Sequence, residues 1–318
     1  MILASQNRDG RTLRLGARGS ALARWQAEWV ADRLRAIHLG LVVDIVEIKT
    51  HGDRDLKTPL AAIGGMGLFT KEIQRAIIDG TVDLAVHSLK DLPTRNPEEL
   101  ILAAVTPRED TADALISPEY KTLENLPAGA RVGTSAPRRR AQILYQRSDL
   151  EIVSIRGNVE TRLNHALEGR LEAVVLAYAG LKRLGLDRAV TQRLEPPDFL
   201  PAVGQGALGV ECRRDDAETR RILSALDDPA ARRATTAERA ALAALEGGCS
   251  LPMAAWARDV TIGETPNLAL DATVFDPDGR DRISIALQGP RDDPEALGRR
   301  AAESLLEQGA GKLLGRGS

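Results

Sequence analysis

Arg138, Arg139 and Arg140 stand in the first turn of a helix opened by Pro137, just past a short strand at 130–133 and the hydroxyls of Thr134 and Ser135. A helix N-terminus already carries about half a positive charge, so each cation there is disfavoured by roughly 0.3–1 kcal/mol unless an anion is bound. The run therefore has two readings. Either the guanidinium forks and the free backbone N–H groups hold an anion, or the three side chains point into solvent. Arg18 beside Ser20, and Arg156 and Arg162 around Gly157 and Asn158, repeat the arrangement at other strand-to-helix turns. Several such turns facing one cleft favour a ligand with several anionic groups.

Two further residues have types that do chemistry. Asp91, next to Lys90, lies just beyond a buried strand at 82–86, where ligands bind in open α/β sheets. A carboxylate there can exchange a proton with a ligand; it can equally serve as a helix N-cap before Pro93. Cys249 follows two glycines and precedes Leu251 and Pro252, so it reads as a loop cysteine, either a nucleophile or attachment point or an incidental thiol. Cys212 sits inside an apolar strand and reads as filler. Gly64, Gly65 and Gly67 lack the strand that a dinucleotide fingerprint requires.

The elements that must position these residues follow from periodicity. A strand around Leu13 and Leu15 ends in glycines and delivers Ser20 as the cap of a helix whose apolar face is Leu22, Trp25, Trp29 and Val30. A strand at 41–50 leads into a polar, Gly-rich stretch at 51–67, long enough to read as an active-site lid. A helix at 69–79 with Ile73, Ala76 and Ile77 on one face ends at Gly80 and feeds the strand before Asp91. The same order recurs later: a helix at 159–168, Gly169, then a strand at 171–177. Alternating strands and helices predict parallel sheets in two similar α/β domains. The joints read at 106–112 and 195–201, and a strand at 207–212 returns to the first domain, giving two crossings and a hinge. The remainder differs in kind: a helix at 229–245, strands near 253–262, 268–275 and 282–287, a turn at 276–279 and a closing helix at 294–308, which together read as a small α+β domain. The resulting division is 1–106 with 202–224, then 112–199, then 229–318.

Composition bounds the partners. The 318 residues carry 43 Lys+Arg against 45 Asp+Glu, a formal net charge of -2, which lacks the broad basic field of a nucleic-acid binder. No apolar stretch approaches the ~18 residues of a membrane span. With only two cysteines, 37 positions apart, neither a disulfide framework nor a zinc site is signalled, and residues 1–14 lack the apolar core of an export signal. The chain reads as cytoplasmic and metal-free. Lysine occurs only seven times, so 36 of the 43 basic residues are arginine. That excess is either composition bias or, locally, a means of gripping carboxylates bidentately.

Taken together, residues 17–27, 58–69, 85–93, 132–139, 156–162, 179–186, 200–212 and 246–252 resemble the porphobilinogen deaminase (hydroxymethylbilane synthase) family, in the family's order and over nearly the whole chain from Leu13. The resemblance implies two periplasmic-binding-protein-like α/β domains with a hinge, plus a small α+β C-terminal domain with a three-stranded antiparallel sheet. It implies an enzyme that condenses four porphobilinogen molecules, with loss of ammonia, into a linear tetrapyrrole on a covalent dipyrromethane primer. By position Cys249 is the thioether attachment point, and Asp91 is the catalytic carboxylate that assists ammonia loss and stabilises cationic pyrrole intermediates. Arg18, Ser20, Lys90, Thr134, Ser135, Arg138, Arg139, Arg156, Arg162, Arg183 and Gln205 match positions that hold acetate and propionate side chains. The implied protein is a monomer that takes no metal and passes its product to the next enzyme of the pathway. Two departures stand out: Ala62 and Met66 replace lysines that many members carry in the lid, and the segment 250–256 deviates from its commonest form. The rival class is a reversible binding protein for a small polycarboxylate or oxyanion, which two hinged α/β domains suit equally well.

Overall fold

The computed structural model describes residues 11–49, 70–245 and 251–314. Its elements in chain order are strand β1 (Thr12–Ala17), helix α1 (Ala21–Ile37), β2 (Val42–Glu47), α2 (Lys71–Ile78), β3 (Leu84–Ser88), β4 (Leu100–Val105), β5 (Asp113–Ile116) and β6 (Arg131–Gly133). There follow α3 (Pro137–Gln146), β7 (Glu151–Val153), α4 (Val159–Leu167), β8 (Ala173–Ala177), α5 (Tyr178–Arg183), β9 (Gln192–Leu194) and β10 (Leu208–Arg213). The chain closes with α6 (Ala217–Leu223), α7 (Pro229–Ala244), β11 (Met253–Ile262), β12 (Thr265–Phe275), β13 (Arg282–Pro290), α8 (Pro294–Glu307) and α9 (Ala310–Leu313).

The chain forms two compact units, 1–108 with 207–232, and 109–206 with 233–318. The first unit holds a five-stranded sheet in the order β2-β1-β3-β10-β4; the second holds a five-stranded sheet, β7-β6-β8-β5-β9, and a three-stranded one, β11-β12-β13. The two five-stranded sheets share one plan. Three neighbouring strands run parallel, and the fourth, β10 or β5, runs antiparallel to both its neighbours. The expectation of purely parallel sheets is thus corrected: in each sheet the strand that follows a chain crossing enters in the opposite sense. The third sheet is antiparallel throughout, as expected.

Local sequence accounts for several helix starts. Ser20 Oγ accepts from the Ala23 N–H at 3.3 Å and caps α1, and Asn158 Oδ1 does the same for α4 through Thr161 at 2.8 Å. The buried face of α1 differs from the one expected. Ala27, Val30, Ala31 and Leu34 pack on the sheet, whereas Leu22, Trp25 and Trp29 are only half-buried. Small alanines let the helix approach the strands, and Trp29 lies to the side with the Arg33 guanidinium 5.3 Å from its ring centre. In the second unit, α3 packs against the third sheet: Ala141, Leu200, Ala254 and Phe275 form one cluster, and Arg140 Nη2 donates to Asp278 Oδ1 at 3.0 Å. No described helix is long and apolar enough to cross a membrane.

An ion network pins one end of the first sheet. Asp83 accepts from the Arg14 N–H at 2.9 Å, Arg14 Nε at 3.1 Å and Arg14 Nη2 at 2.9 Å, while Arg213 bridges Asp83 and Asp216. Burial alone would raise the Asp83 carboxyl, but the Arg14 hydrogen bonds and charge hold it below the ordinary value of 3.8. A folded-state value below the unfolded one stabilises the fold above the ordinary range, and that contribution is lost as pH falls. Asp83→Asn should therefore melt below the wild type at pH 6, with the gap narrowing toward pH 3; a gap independent of pH in thermal melts contradicts this role.

Candidate active site

Within the first unit, β1 and β3 are parallel neighbours, so the residues just past their C-terminal ends share one sheet edge. Arg18 and Ser20 follow β1, and Lys90 and Asp91 follow β3 in a single 3-10 turn over Leu89–Asp91. Asp91 is exposed, while Leu89 beneath it is buried and anchors the turn by donating its N–H to the Ala207 carbonyl at 3.0 Å. No helix follows Pro93; the next regular element is β4. The N-cap reading of Asp91 therefore has no helix to cap, and the carboxylate stands at the edge where ligands bind in open α/β sheets.

Behind this turn lies a buried polar group that periodicity did not reveal. Glu211, on β10, is fully buried and accepts from Asn96 Nδ2 at 2.8 Å and Gln74 Nε2 at 3.1 Å. His87, on β3, brings Nε2 to 3.1 Å from Glu211 Oε2. A buried carboxylate must be compensated where it sits, so the Gln74 amide ties α2 to β10, the strand that pairs with β3 ahead of Asp91.

In the second unit, β6, β7 and β8 run parallel, and Thr134, Ser135, Arg156 and Arg183 all lie past their C-terminal ends. The Ser135 hydroxyl donates to the Ile155 carbonyl, and Arg162 Nε donates to the Gly157 carbonyl at 2.9 Å. Arg183 Nη2 donates to the Gly206 carbonyl at 2.6 Å, and burial lowers its guanidinium to about 10. The anomaly at the start of α3 is resolved in a way neither sequence reading anticipated. Arg138 and Arg139 are 4% and 5% exposed, and both meet Asp113, which is 0% exposed. Arg138 Nη1 lies 2.7 Å from Asp113 Oδ2; Arg139 Nε and Nη2 donate to Oδ1 at 3.0 and 2.8 Å. The anion that offsets the helix dipole belongs to the protein. Burial would raise the Asp113 carboxyl, but the two guanidinium groups hold it well below the ordinary carboxylate range.

Gln205 joins the same cluster, donating to Asp113 Oδ1 at 2.9 Å and to the Thr111 carbonyl at 2.7 Å. It sits between Gly204 and Gly206, whose φ values of 73° and 92° belong to the left-handed region that glycine tolerates best. The Gly204 N–H in turn donates to Glu238 Oε2 at 2.7 Å, and the Ala257 N–H to Glu238 Oε1 at 2.8 Å. Glu238, on α7 and fully buried, thereby joins the Gln205 turn to β11. The segment between α7 and β11 carries Cys249, which lies outside the described residues, as does the lid read at 51–67 with Ala62 and Met66. Cys212 is fully buried, and burial pushes its thiol up to about 11, which suits filler and not a nucleophile.

Within the second unit the donors suit a ligand with several carboxylates: permanent cations and hydroxyls past strand ends, and a buried Arg138 Nε with no acceptor among the described residues. The family model described as "Porphobilinogen deaminase, dipyromethane cofactor binding domain" matches residues 13–221, and "Porphobilinogen deaminase, C-terminal domain" matches residues 233–307. The chain belongs to the porphobilinogen deaminase family. Relatives named porphobilinogen deaminase from Syntrophotalea carbinolica and Moorella thermoacetica are each 49% identical over 302 residues, 95% of this chain and 95% of theirs. Among solved structures, a periplasmic substrate-binding protein of an ABC transporter from Coxiella burnetii covers 68% of this chain and 92% of its own at 16% identity. Its TM-score of 0.44 is too low for that likeness to carry an argument.

Asp113, Glu211 and Glu238 were missed in the sequence, although Glu211 and Glu238 leave a trace: a single acidic residue inside an apolar or alanine-rich run that becomes a buried strand or helix, whereas Asp113 opens β5 just after Glu109 and Asp110 and leaves none. Such a charge must find internal donors. Glu238→Ala would orphan two buried backbone N–H groups and should cost about 2–6 kcal/mol in urea denaturation, at roughly 1–3 kcal/mol per unsatisfied group. A loss below 1 kcal/mol would show that the bridge contributes little.

Proposed function

We propose that this chain is a hydroxymethylbilane synthase, a transferase that joins four porphobilinogen molecules head to tail, releases one ammonia at each addition, and frees the linear tetrapyrrole by hydrolysis. The observation that carries this reading is the family match across both the cofactor-binding and C-terminal regions, with Asp91 exposed at the edge of its sheet. A dipyrromethane held covalently on Cys249 supplies the pyrrole end to which the first new unit is joined. Tethering replaces repeated bimolecular encounters with intramolecular steps.

Asp91 takes the catalytic role. Its carboxylate assists departure of ammonia from the aminomethyl group and stabilises the positive charge that develops on the substrate pyrrole. Arg18, Ser20 and Lys90 in the first unit, and Thr134, Ser135, Arg138, Arg139, Arg156, Arg162, Arg183 and Gln205 in the second, serve the acetate and propionate groups. Each pyrrole brings two carboxylates, and arginine keeps its charge at working pH, so an arginine-rich set suits a growing polyanion. Each five-stranded sheet and the three-stranded sheet form the core of one domain, 1–106 with 202–224, 112–199 and 229–318. The enzyme works in the cytoplasm as a monomer and passes its product to the next enzyme of the pathway. The rival reading, reversible binding of a small polycarboxylate, is not favoured, because the relatives that match end to end bear an enzyme's name.

The intact mass of the purified protein should exceed the sequence mass by about two pyrrole units, and the excess should map to Cys249 and vanish in Cys249→Ala. An active enzyme of unmodified mass refutes the attachment. Asp91→Asn should bind porphobilinogen yet turn over at least a hundredfold more slowly, within the range assigned to general acid–base groups; near-normal turnover removes Asp91 from the mechanism. With Ala62 and Met66 in place of lysines, lid closure on substrate should be weak, so Met66→Lys should lower KM or raise turnover. No change in either would show that the lid position is indifferent to charge.

A further inference from the structure

Arg138 and Arg139 share one counter-charge unequally. Arg139 is fully committed: Nε and Nη2 donate to Asp113 Oδ1, and Nη1 donates to the Val175 carbonyl at 3.1 Å. Arg138 is not. Its Nη1 donates to the Leu200 carbonyl at 2.6 Å and lies 2.7 Å from Asp113 Oδ2 as an ion pair off the hydrogen-bond direction, while its Nε is buried without an acceptor among the described residues. Two guanidinium charges against one carboxylate leave the cluster one positive charge in excess. A buried donor without a partner costs about 1–3 kcal/mol, and more when the group is charged, so the surplus donor and the surplus charge meet on the same side chain. Gln205 adds no charge and holds Asp113 Oδ1 from the other side.

We propose that Asp113 is a positioning residue for the ligand. By occupying Arg139 and one nitrogen of Arg138, it directs Arg138 Nε at one carboxylate of the pyrrole chain and limits the pair to that single carboxylate. A second ligand carboxylate would leave the buried cluster net negative, a state that desolvation disfavours. Without Asp113 the pair would be doubly positive and unaligned. The inference rests on the reading of Arg138 and Arg139 as carboxylate-binding residues and assigns them different tasks: Arg138 grips, and Arg139 holds Asp113 in place.

The test uses the full chain with Asp113→Ala, which opens space for a small carboxylate, and Asp113→Asn, which keeps the shape and removes the charge. Three quantities are read: primer occupancy by intact mass, KM and kcat for porphobilinogen, and melting temperature, each in sodium formate and in sodium chloride at equal ionic strength. In chloride, primer occupancy should fall in both variants, and in the loaded fraction KM should rise at least tenfold while kcat stays within threefold. Formate should restore occupancy or KM at least fivefold in Asp113→Ala and leave the wild type unchanged. A purely structural role would lower the folded fraction and melting temperature without splitting KM from kcat. KM and occupancy within twofold of wild type in both variants overturn the proposal, as does formate that raises melting temperature and moves neither KM nor occupancy. If the wild type neither carries a primer nor consumes porphobilinogen, it is the functional reading that fails, independently of how the variants behave.

Discussion

A fully buried carboxylate is tolerable only where cations and donors meet it directly, and Asp113 satisfies that condition with Arg138, Arg139 and Gln205. Much of the second unit is arranged around this contact. The first turn of α3 brings two guanidinium groups inward against the helix dipole, β5 begins at the carboxylate, and the Gly204–Gly206 turn delivers the amide. Removing one partner from such a cluster costs roughly 3–5 kcal/mol, because the remaining charge stays buried. The same charges follow β6 just after Thr134 and Ser135, so under the proposed function a demand of folding and a demand of binding fall on the same residues.

How far the sequence could be read follows from the range of the forces involved. Capping, helix periodicity and turn chemistry are local, and they placed α1, α3, α4, α7, α8 and the three strands of the last sheet within a few residues. Pairing is long-range. β5, β7 and β9 have only three or four residues, too few to show alternation, and the six residues of β4 are partly or fully buried throughout, so none shows the alternation that marks a half-exposed strand. The antiparallel sense of β5 and β10 depends on partners far away in the chain, and local pattern carries no trace of it. The apolar face of α1 was misplaced for a related reason: large tryptophans dominate a hydropathy reading, but it is the alanines that let helix and sheet come close.

The site was legible by anomaly and opaque by partner. Three cations at a helix start conflict with the dipole, and the conflict is met within the chain by Asp113, 25 positions upstream of Arg138, which nothing in the local sequence identified. The position of Asp91 just past a buried strand was legible. His87 and Glu211 come from sequence-distant elements and meet only once β3 and β10 pair. Arg140, read with its two neighbours, instead joins α3 to the turn before β13 through Asp278.

In the function proposed for this chain, a polyanion grows while attached to the protein. Covalent growth is its central claim, and it is tested most directly by mixing the purified protein with one to four equivalents of porphobilinogen, quenching in acid and weighing the intact chain. The account predicts a ladder of discrete covalent species, each heavier than the last by one porphobilinogen less one ammonia, with all the added mass on the peptide that contains Cys249. Linear tetrapyrrole accumulating in solution while the protein mass stays constant at every substrate ratio would contradict it.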